Sequence, residues 1–552
     1  MLITEMQKKN KAYLEVPISK HSNATKLYAD FLNKQEKVRE YYGPTFDDDA
    51  ALGQLYTQLK ERDYPREELA SALEELAVEI EAPAGARNQI ETLRNKDSFT
   101  VFAGQQPGLF SGPLYSVYKA LTLERWASEL SDKFSFAVIP CFWLASDDHD
   151  FAEVNHINLP DETDINTLTY RPKHTTLDLP VGRIKLDASI KSLINELFGY
   201  IPATEFRQDV LDILVKTYST DVTFPVAFAR LWYRMFPQSQ MVFVSPCQRQ
   251  LKKLALPLLQ QALRDTASLF SLYEETSRRL ENDGYHRQVY KKSEQTFVFY
   301  QQSRRHNIHR QKNNNYILAE GKSATIDTLC EMLEEKPEDF SGNVLFNPIL
   351  QNALFPTLGV VLGPSEIAYY AQIGGLYDYF DVPRPTIMPR TSVTLVQKNF
   401  NRCLSQNDID LNALQQDASY EINRILKTTL PEELDTSFQL AERSIEKSFE
   451  EIQAIVEKFE PGLNKTVQSA AIRLQRELQR LTRKTHAAHR RKESDTERQL
   501  SRLALHLFPK GELQERHFNI VYYWTRYGPE FLSSLYEDWP VGLRNHLLWG
   551  LD

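Results

Sequence analysis

Cysteine is scarce in this chain, which has four cysteines among 552 residues. They lie far apart in the sequence, and no two have the Cys-x-x-Cys spacing of redox or zinc motifs. A disulfide framework and a thiolate zinc site are therefore not expected. This usage favours a reducing compartment, so we expect a cytoplasmic protein. The four are Cys141, Cys247, Cys330 and Cys403.

Long apolar runs are also missing. No stretch reaches the roughly 18 apolar residues that a transmembrane helix needs. The start, "MLITEMQKKNKAYLEV", has no apolar segment that could serve as a signal peptide. We therefore expect no membrane partner.

An excess of positive charge is absent too, since the formal net charge is −9. This balance argues against a protein that binds duplex DNA through its overall charge, and no nucleic-acid partner is expected. Hydrophobic residues make up 42% and charged residues 25%, which is typical of a soluble globular protein. A chain of this length exceeds one ordinary core, so two or three domains are predicted.

The apolar pattern predicts an α/β core over residues 1–397. Residues 1–95 have helical spacing. A strand at 98–104, a helix at 113–130 and an inner strand at 134–145 then form one βαβ unit, with Ser111 predicted to cap the helix and Pro113 in its first turn. Further inner strands are predicted at 241–246 and 358–364, and connecting segments are inserted at about 160–300.

From 398 to 510 the pattern predicts an α-helical domain. Apolar residues from Ile445 to Leu481 alternate steps of three and four, which is the seam of a coiled coil, and Pro461-Gly462 interrupts it. We expect an antiparallel hairpin that bends there and mediates a homodimer. Residues 511–552 are expected to pack back on the core.

The second helix of the hairpin is rich in basic residues. Within 465–492 there are nine basic residues and one acidic residue, Glu477. This composition fits a solvated face or a phosphate-binding face better than an RNA contact. The nine are Lys465, Arg473, Arg476, Arg480, Arg483, Lys484, Arg490, Arg491 and Lys492.

Two glycine-containing loops follow predicted strands. "GQQPGLFSGPLY" leads into a helix N-terminus, where backbone N–H groups suit phosphate or carboxylate, although it matches neither a Walker loop nor a dinucleotide fingerprint. The alternative is a tight turn and nothing more. "GPSEIAYYAQIGG" (363–375) has the same design, so it either forms the other wall of a pocket or is an amphipathic helix with core aromatics. "GYHRQV" (284–289) and "RRHNIHRQ" (304–311) carry His and Arg in loop-like settings. They are either site residues or exposed turns, and exposed turns are at least as well supported.

The stretch "FWLASDDHDFAEVNH" (142–156) ends an inner strand in a cluster of acids and histidines. Ligands bind at the carboxyl ends of parallel strands, so this cluster is predicted to line a pocket. Crowded like charges separate pKa values and prepare groups for acid–base or cation-binding work. Two alternatives remain: a strand-end turn with Asp capping the next helix, or a metal site that uses His149 and His156.

Seven segments together resemble one family. "FAGQQPGLFSGPLYSVYKA", "PCFWLASDDHDFAEVNH", "PVGRIKL", "GYHRQV", "GPSEIAYYAQ", "PRTSVTLV" and "LFPKGELQERHFN" occur in the order seen in the BshC family, the cysteine-adding enzymes of bacillithiol biosynthesis. The resemblance covers about residues 22–535. It implies a Rossmann-like core with inserted connecting segments, and a coiled coil that mediates dimerisation. It also implies addition of cysteine to glucosaminyl malate by amide-bond formation.

The resemblance also implies the site residues. The catalytic group would be Asp148, His149 and Asp150. Substrate would contact Gly104, Gln105, Gln106, Ser111, Tyr115, Asn155, His156, Glu366, Tyr369, Gln372 and Arg390. A nucleotide, ATP or ADP, would lie near the coiled coil at Gln514, Glu515, Arg516 and Asn519, and no metal is expected. Asn347 departs from the pattern, because an Arg is usual there.

Amide formation needs an activated acyl group, which ATP could supply, and a base for the amine. We expect His149 or Asp148 to be that base. Two other functions fit the sequence less well. One is a dimeric coiled-coil protein that binds a metabolite without chemistry. The other is a metal-dependent hydrolase that uses Asp148, His149, Asp150 and His156.

Overall fold

The structure is a computed structural model that describes residues 13–17, 24–173, 179–301, 304–311, 315–318, 321–429 and 432–551. Residues 1–12, which carry most of the signal-peptide argument, lie outside the described residues, as do 174–178 within the predicted insertion and the side chain of Arg490. Among the described residues, no helix combines the length and apolarity needed to cross a bilayer.

The strands are numbered in chain order. They are β1 (Tyr13–Val16), β2 (Ser98–Gln105), β3 (Ala137–Leu144), β4 (His156–Pro160), β5 (Ile165–Thr169), β6 (Val242–Val244), β7 (Gln295–Gln301), β8 (Arg305–Arg310), β9 (Asn315–Ile317), β10 (Ser323–Thr325), β11 (Phe340–Gly342), β12 (Thr357–Leu362), β13 (Thr386–Pro389), β14 (Ser392–Gln397) and β15 (His546–Leu551).

The helices fall into two groups. Those before β14 are Lys26–Leu32, Glu36–Arg39, Asp49–Glu61, Arg66–Glu79, Ala84–Leu93, Leu114–Phe134, Phe151–Val154, Ser189–Leu197, Arg207–Thr217, Phe224–Met235, Arg249–Leu254, Leu256–Arg264, Thr266–Asn282, Ile326–Glu335, Asn347–Leu354, Pro364–Tyr370 and Gly374–Tyr379. Those after it are Lys398–Gln406, Leu411–Gln416, Ala418–Thr428, Glu432–Phe459, Asn464–Lys492, Ser494–Leu507 and Ile520–Glu537.

The centre of the core is a parallel sheet with the order β13-β12-β2-β3-β6. Every residue of β12 is buried, as are the first six of β2, because helices cover both faces. Helix Leu114–Phe134, here called the crossover helix, connects β2 to β3. The predicted βαβ unit and the predicted inner strands β6 and β12 are thereby confirmed.

The inserted segments add two antiparallel structures. β4 and β5 form a hairpin directly after the acid cluster. A second sheet has the order β10-β9-β8-β7-β11. The prediction of an exposed turn at 304–311 is wrong, since β8 occupies most of it. Its polar sequence forms a strand because β7 and β9 supply the pairing and Ile308 is buried against the core.

The helical domain contains the predicted hairpin. Helices Glu432–Phe459 and Asn464–Lys492, here called the coiled-coil hairpin, are joined by a short 3₁₀ turn at Pro461–Leu463. The bend at Pro461-Gly462 is therefore confirmed. After the hairpin the chain returns to the core, where β15 lies between β1 and β14, antiparallel to the former and parallel to the latter.

Candidate active site

A cavity of about 320 Å³ opens at the carboxyl ends of β2, β3 and β12, the edge at which open α/β sheets bind ligands. Its walls include Phe102, Trp143 and Tyr369, so aromatic faces surround the polar groups. The polar side chains that line it are Gln105, Gln106, Asp148, Glu153, Asn347, Gln351 and Glu366. Three loops that are distant in the sequence thus contribute to one concave surface.

Six of the predicted site residues line this cavity, namely Gly104, Gln105, Gln106, Asp148, Glu366 and Tyr369. The other predicted catalytic and substrate-binding residues do not form its wall. These are Ser111, Tyr115, His149, Asp150, Asn155, His156, Gln372 and Arg390. The two sequence motifs after β2 and β3 and the third after β12 therefore meet as predicted, but through fewer side chains.

The first loop is tightly folded between β2 and the crossover helix. Phe110, Ser111 and Gly112 have φ values of 48°, 75° and 68°, so the backbone is left-handed at three consecutive positions. A Cβ on Gly108 would lie 2.7 Å from the Cα atom of Gly112, so only glycine fits there. Asn519 donates from Nδ2 to the carbonyl oxygens of Phe110 and Gly112, at 2.9 and 2.7 Å. The C-terminal segment thus holds the loop in this shape.

Ser111 does not cap the crossover helix, and that prediction is wrong. The helix begins at Leu114 with Pro113 at the capping position, because the left-handed turn carries Ser111 away from the helix end. Its Oγ atom is buried and has no hydrogen-bond partner among the described residues. Tyr115 follows on the helix with the Arg390 guanidinium 6.0 Å from its ring centroid, and burial raises the pKa of its hydroxyl to about 12.

Asp148 is the most strongly bonded acid of the cavity. Its Oδ2 atom accepts from Gln106 Nε2 at 2.8 Å, and Oδ1 accepts from the backbone N–H of His149 at 2.8 Å and from Arg305 Nη1 at 3.4 Å. Burial by itself would raise the pKa of Asp148, but His149, Arg305 and Gln106 together hold it well below the usual value. Asp148 is therefore an anchored anion.

The neighbours of Asp148 have local roles. His149 Nδ1 lies 3.6 Å from Asp148 Oδ1 and is buried without a hydrogen-bond partner among the described residues. Asp150 is exposed and caps helix Phe151–Val154 by accepting from the backbone N–H of Glu153 at 3.3 Å. Asn155 donates to the carbonyl of Tyr170 at 3.2 Å, and His156 Nδ1 donates to the carbonyl of Ala152 at 3.0 Å.

The third wall contains a buried ion pair. Lys119 of the crossover helix donates from Nζ to Glu366 Oε2 at 2.5 Å, to the Gly104 carbonyl at 2.8 Å and to Gln105 Oε1 at 3.0 Å. Glu366 also accepts from the backbone N–H of Gly363 at 2.8 Å. One ammonium group therefore joins the loop after β2 to the loop after β12.

Gln372 lies away from the cavity. It is fully buried, accepts from the backbone N–H groups of Gln288 and Val289, and donates to Ser277 Oγ and the Val289 carbonyl. These bonds join the 284–289 segment to helix Thr266–Asn282.

Sequence reasoning missed three charged residues of the site. Lys119 is the only basic residue within the apolar face Leu114–Leu123, which was a usable signal. Glu153 lies within the 142–156 stretch, five residues after Asp148, and its sequence context indicates no particular role. Arg305 could not be found, because the contact with Asp148 spans 157 residues and depends on the fold.

Two family models match this chain. Residues 13–391 match the model described as "Bacillithiol biosynthesis BshC, N-terminal Rossmann-like domain", and residues 393–548 match "Bacillithiol biosynthesis BshC, C-terminal coiled-coil domain". The chain belongs to the BshC family. Its Rossmann-like domain contains the parallel sheet and the cavity, and its coiled-coil domain contains the hairpin.

Curated relatives match over nearly their full length. A protein of Chlorobaculum tepidum named "Putative cysteine ligase BshC" is 29% identical over 531 residues, which are 93% of this chain and 94% of the relative. Proteins with the same name from Salinibacter ruber and Bacillus cereus (strain G9842) are 28% and 25% identical over 92% and 93% of this chain, and 93% and 95% of theirs.

The residues predicted to bind a nucleotide in this BshC-family chain do not form an open site. Gln514 is fully buried, accepts from the N–H of Leu395, and donates to the carbonyls of Leu395 and His506. Glu515 accepts from Arg390 at 2.5 Å and from the N–H of Val393 at 3.0 Å. Asn519 is buried and bonded to the first loop. Arg516 is exposed beside Glu512. Three of the four side chains are therefore occupied by internal bonds.

A different cavity, of about 410 Å³, lies at the base of the coiled-coil domain. It is bordered by Glu162 and Thr163 from the turn between β4 and β5. Three guanidinium groups line it, from Arg402, Arg498 and Arg502. This donor set suits bidentate bonds to phosphate oxygens.

A metal at the acid cluster gains no support from the geometry. Within the ranges that the structure describes, no group of three or more His, Cys, Asp or Glu side chains is arranged to hold a metal ion. The Nδ1 atom of His156 is bonded to a backbone carbonyl, and Asp150 is bonded to a helix N-terminus.

Proposed function

We propose that this chain is a ligase that forms an amide bond between the carboxyl group of cysteine and the amino group of glucosaminyl malate, the last step of bacillithiol biosynthesis. The observation that supports it most directly is the cavity, where Gln106, Asp148 and Glu366 from three separate motifs converge. The names of the family relatives support the ligase class, and they offer no support for a binding scaffold or a hydrolase.

The lining suits two polar reactants. Side-chain amides of Gln105, Gln106, Asn347 and Gln351 can donate to carboxylate and hydroxyl oxygens. The carboxyl groups of Asp148 and Glu366, fixed by Arg305 and Lys119, can orient an amine or its ammonium form. The aromatic walls exclude water from the reacting atoms.

We propose ATP as the source of acyl activation, because a free carboxylate does not react with an amine under mild conditions. The activating ATP must reach the carboxylate in the first cavity, so we propose the cavity of Arg402, Arg498 and Arg502, whose guanidinium groups suit a polyphosphate, as a separate nucleotide-binding place. We also place the reaction in the cytoplasm, which the four free cysteines support.

Purified protein should form bacillithiol from cysteine and glucosaminyl malate only when ATP is added, as measured by mass spectrometry of the thiol. Cells that lack the gene should accumulate glucosaminyl malate and lose bacillithiol. Unchanged bacillithiol in those cells, with no accumulation of the precursor, would show that the assigned reaction is wrong. Product formation without ATP would retain the ligase step and remove the nucleotide.

We further propose that the coiled-coil hairpin forms a homodimer. Several apolar side chains of the hairpin are exposed in the single chain, which is the pattern of a surface that a partner covers. Their exposed fractions are 44% for Ile452, 68% for Ile455, 85% for Phe459, 48% for Ile472 and 54% for Leu481. A second copy of the same hairpin would cover these side chains isologously.

Deleting residues 440–500 and joining the ends with a short Gly-Ser linker should convert a dimer into a monomer. Light scattering coupled to size-exclusion chromatography gives the mass directly. Two point variants, Phe459→Ser and Ile455→Ser, remove exposed apolar side chains of the hairpin, and Glu457→Ser, at an exposed polar neighbour, is the control. If the full-length protein is already a monomer at micromolar concentration, the dimer proposal is wrong.

A further inference from the structure

Three carboxyl groups line the cavity, and two of them have a cation of their own. Asp148 is paired with Arg305 at 3.4 Å, and Glu366 is paired with Lys119 at 2.5 Å. Glu153 lines the same cavity, and no ion pair to it occurs among the described residues. It is therefore the lining acid whose charge the protein leaves uncompensated.

The backbone fixes the position of Glu153. It lies in helix Phe151–Val154, five residues after Asp148, and its N–H is bonded to the Asp150 cap. Its side chain is exposed toward the cavity and also interacts with Gln106, the amide that donates to Asp148. Gln106 thus lies between an anchored anion and a carboxyl group that has no ion-pair partner among the described residues.

The electrostatic environments of the two acids differ. Burial, and then the negative charges of Asp150 and Asp148, raise the pKa of Glu153. The Gln106 bond and the charge of His156 act in the opposite direction, and the net shift is upward. The pKa of Asp148 is displaced in the opposite direction by its bonded neighbours. When the pKa values of two neighbouring acids are separated in this way, the acid with the lower pKa stays ionised and the other can accept and release a proton.

We propose that Glu153 is the general base of the amide-forming step, so that Asp148 positions and Glu153 accepts the proton. This assignment rests on the ligase function proposed above. The ammonium group of the acceptor transfers one proton to the Glu153 carboxylate, and the free electron pair of the amine nitrogen then forms the new C–N bond. The bond between the acyl carbon and the oxygen of its activating phosphate breaks, and the electron pair of that bond leaves with the phosphate. The departing phosphate takes up the second proton of the nitrogen, so the product is a neutral amide.

Glu153→Gln should lower kcat/KM for bacillithiol formation about 100-fold, the usual size of a general-base contribution. Because the base must be ionised, wild-type activity falls as the pH drops through the pKa of Glu153, and this acidic limb should be absent in Glu153→Gln. Glu153→Asp keeps the carboxyl group and should restore part of the rate together with the limb. Glu196→Gln, at an exposed position on helix Ser189–Leu197, is the matched control and should behave like the wild type.

The possible results of these experiments distinguish the role of Glu153 from the proposed ligase function. If the wild type is active and Glu153→Gln keeps more than half of its kcat/KM with an unchanged pH profile, Glu153 is not the base and the ligase proposal stands. If wild-type protein forms no amide from cysteine and glucosaminyl malate with ATP, both proposals are overturned. Circular dichroism melting confirms that each variant is folded.

Discussion

Replacing Glu515 with Ala is expected to lower the free energy of unfolding by about 3–5 kcal/mol, the typical cost of removing one partner of a buried ion pair. The Arg390 and Glu515 side chains are 7% and 3% exposed, so the guanidinium would be left buried without its carboxylate. The N–H of Val393 would lose its acceptor as well. Urea denaturation followed by circular dichroism measures the difference.

Arg516→Ala is the control for this variant, because it changes the adjacent residue, whose side chain is exposed. Its expected effect is within about 0.5 kcal/mol of zero. If Glu515→Ala unfolds at the same urea concentration as the wild type, the ion pair is not structural. A role for Glu515 in ligand binding would then regain support.

The same pair gives the protein an acid-sensitive contribution to stability. Burial alone would raise the pKa of Glu515, but Arg390 lowers it below the usual value. A carboxyl group with a depressed folded-state pKa stabilises fully above its unfolded pKa, about 4.3, and loses that contribution as the pH falls through the folded pKa. The stability difference between wild type and Glu515→Ala should therefore shrink below about pH 4.

Replacing Lys119 with Met is expected to reduce ligase activity about 100-fold, because misplacement of site groups by about 1 Å has effects of that size. Its side chain is only 3% exposed, and its ammonium group donates to Glu366, the Gly104 carbonyl and Gln105. Without it the loops after β2 and β12 lose their common donor. We also expect a loss of about 3 kcal/mol in unfolding free energy.

Lys133→Met, on the same crossover helix, is the matched control. Lys133 is 41% exposed and pairs with Asp49 at the surface, so its loss should change stability by less than about 1 kcal/mol and leave activity intact. The double variant Lys119→Met with Glu366→Gln removes the uncompensated charge and should recover stability without recovering activity. Full activity in Lys119→Met alone would exclude the bridging role.

The architecture was predictable because it depends on local patterns. In residues 98–145 a short apolar run is followed by a helical period and then by a second apolar run. Inner strands that are covered on both faces produce such apolar runs. The Pro461-Gly462 bend was equally visible. β8 was hidden because its sequence is polar, and its pairing comes from β7 and β9 rather than from its own composition.

The location of the site could be predicted from the sequence, but most of its contacts could not. Asp148 follows β3, and Glu366 follows β12, so parallel topology alone brings them to one edge. Gln514, Glu515 and Asn519 show the limit of this reasoning. Their polar types suggest a ligand site, yet each is buried and bonded internally, and burial is not visible in composition. Lys119 shows the reverse, a charge within an apolar helix face that forms part of the site.

The position of β15 sets an order of events during synthesis. This strand lies between β1 and β14, so its sheet can form only after residues near 551 have emerged from the ribosome. Asn519, which holds the left-handed loop at Phe110 and Gly112, also emerges more than 400 residues after that loop. A chain that has not yet been synthesised as far as Asn519 can therefore build the central parallel sheet without the bonds that hold this loop. The shape of the turn that leads into the crossover helix thus depends on a residue that is made much later.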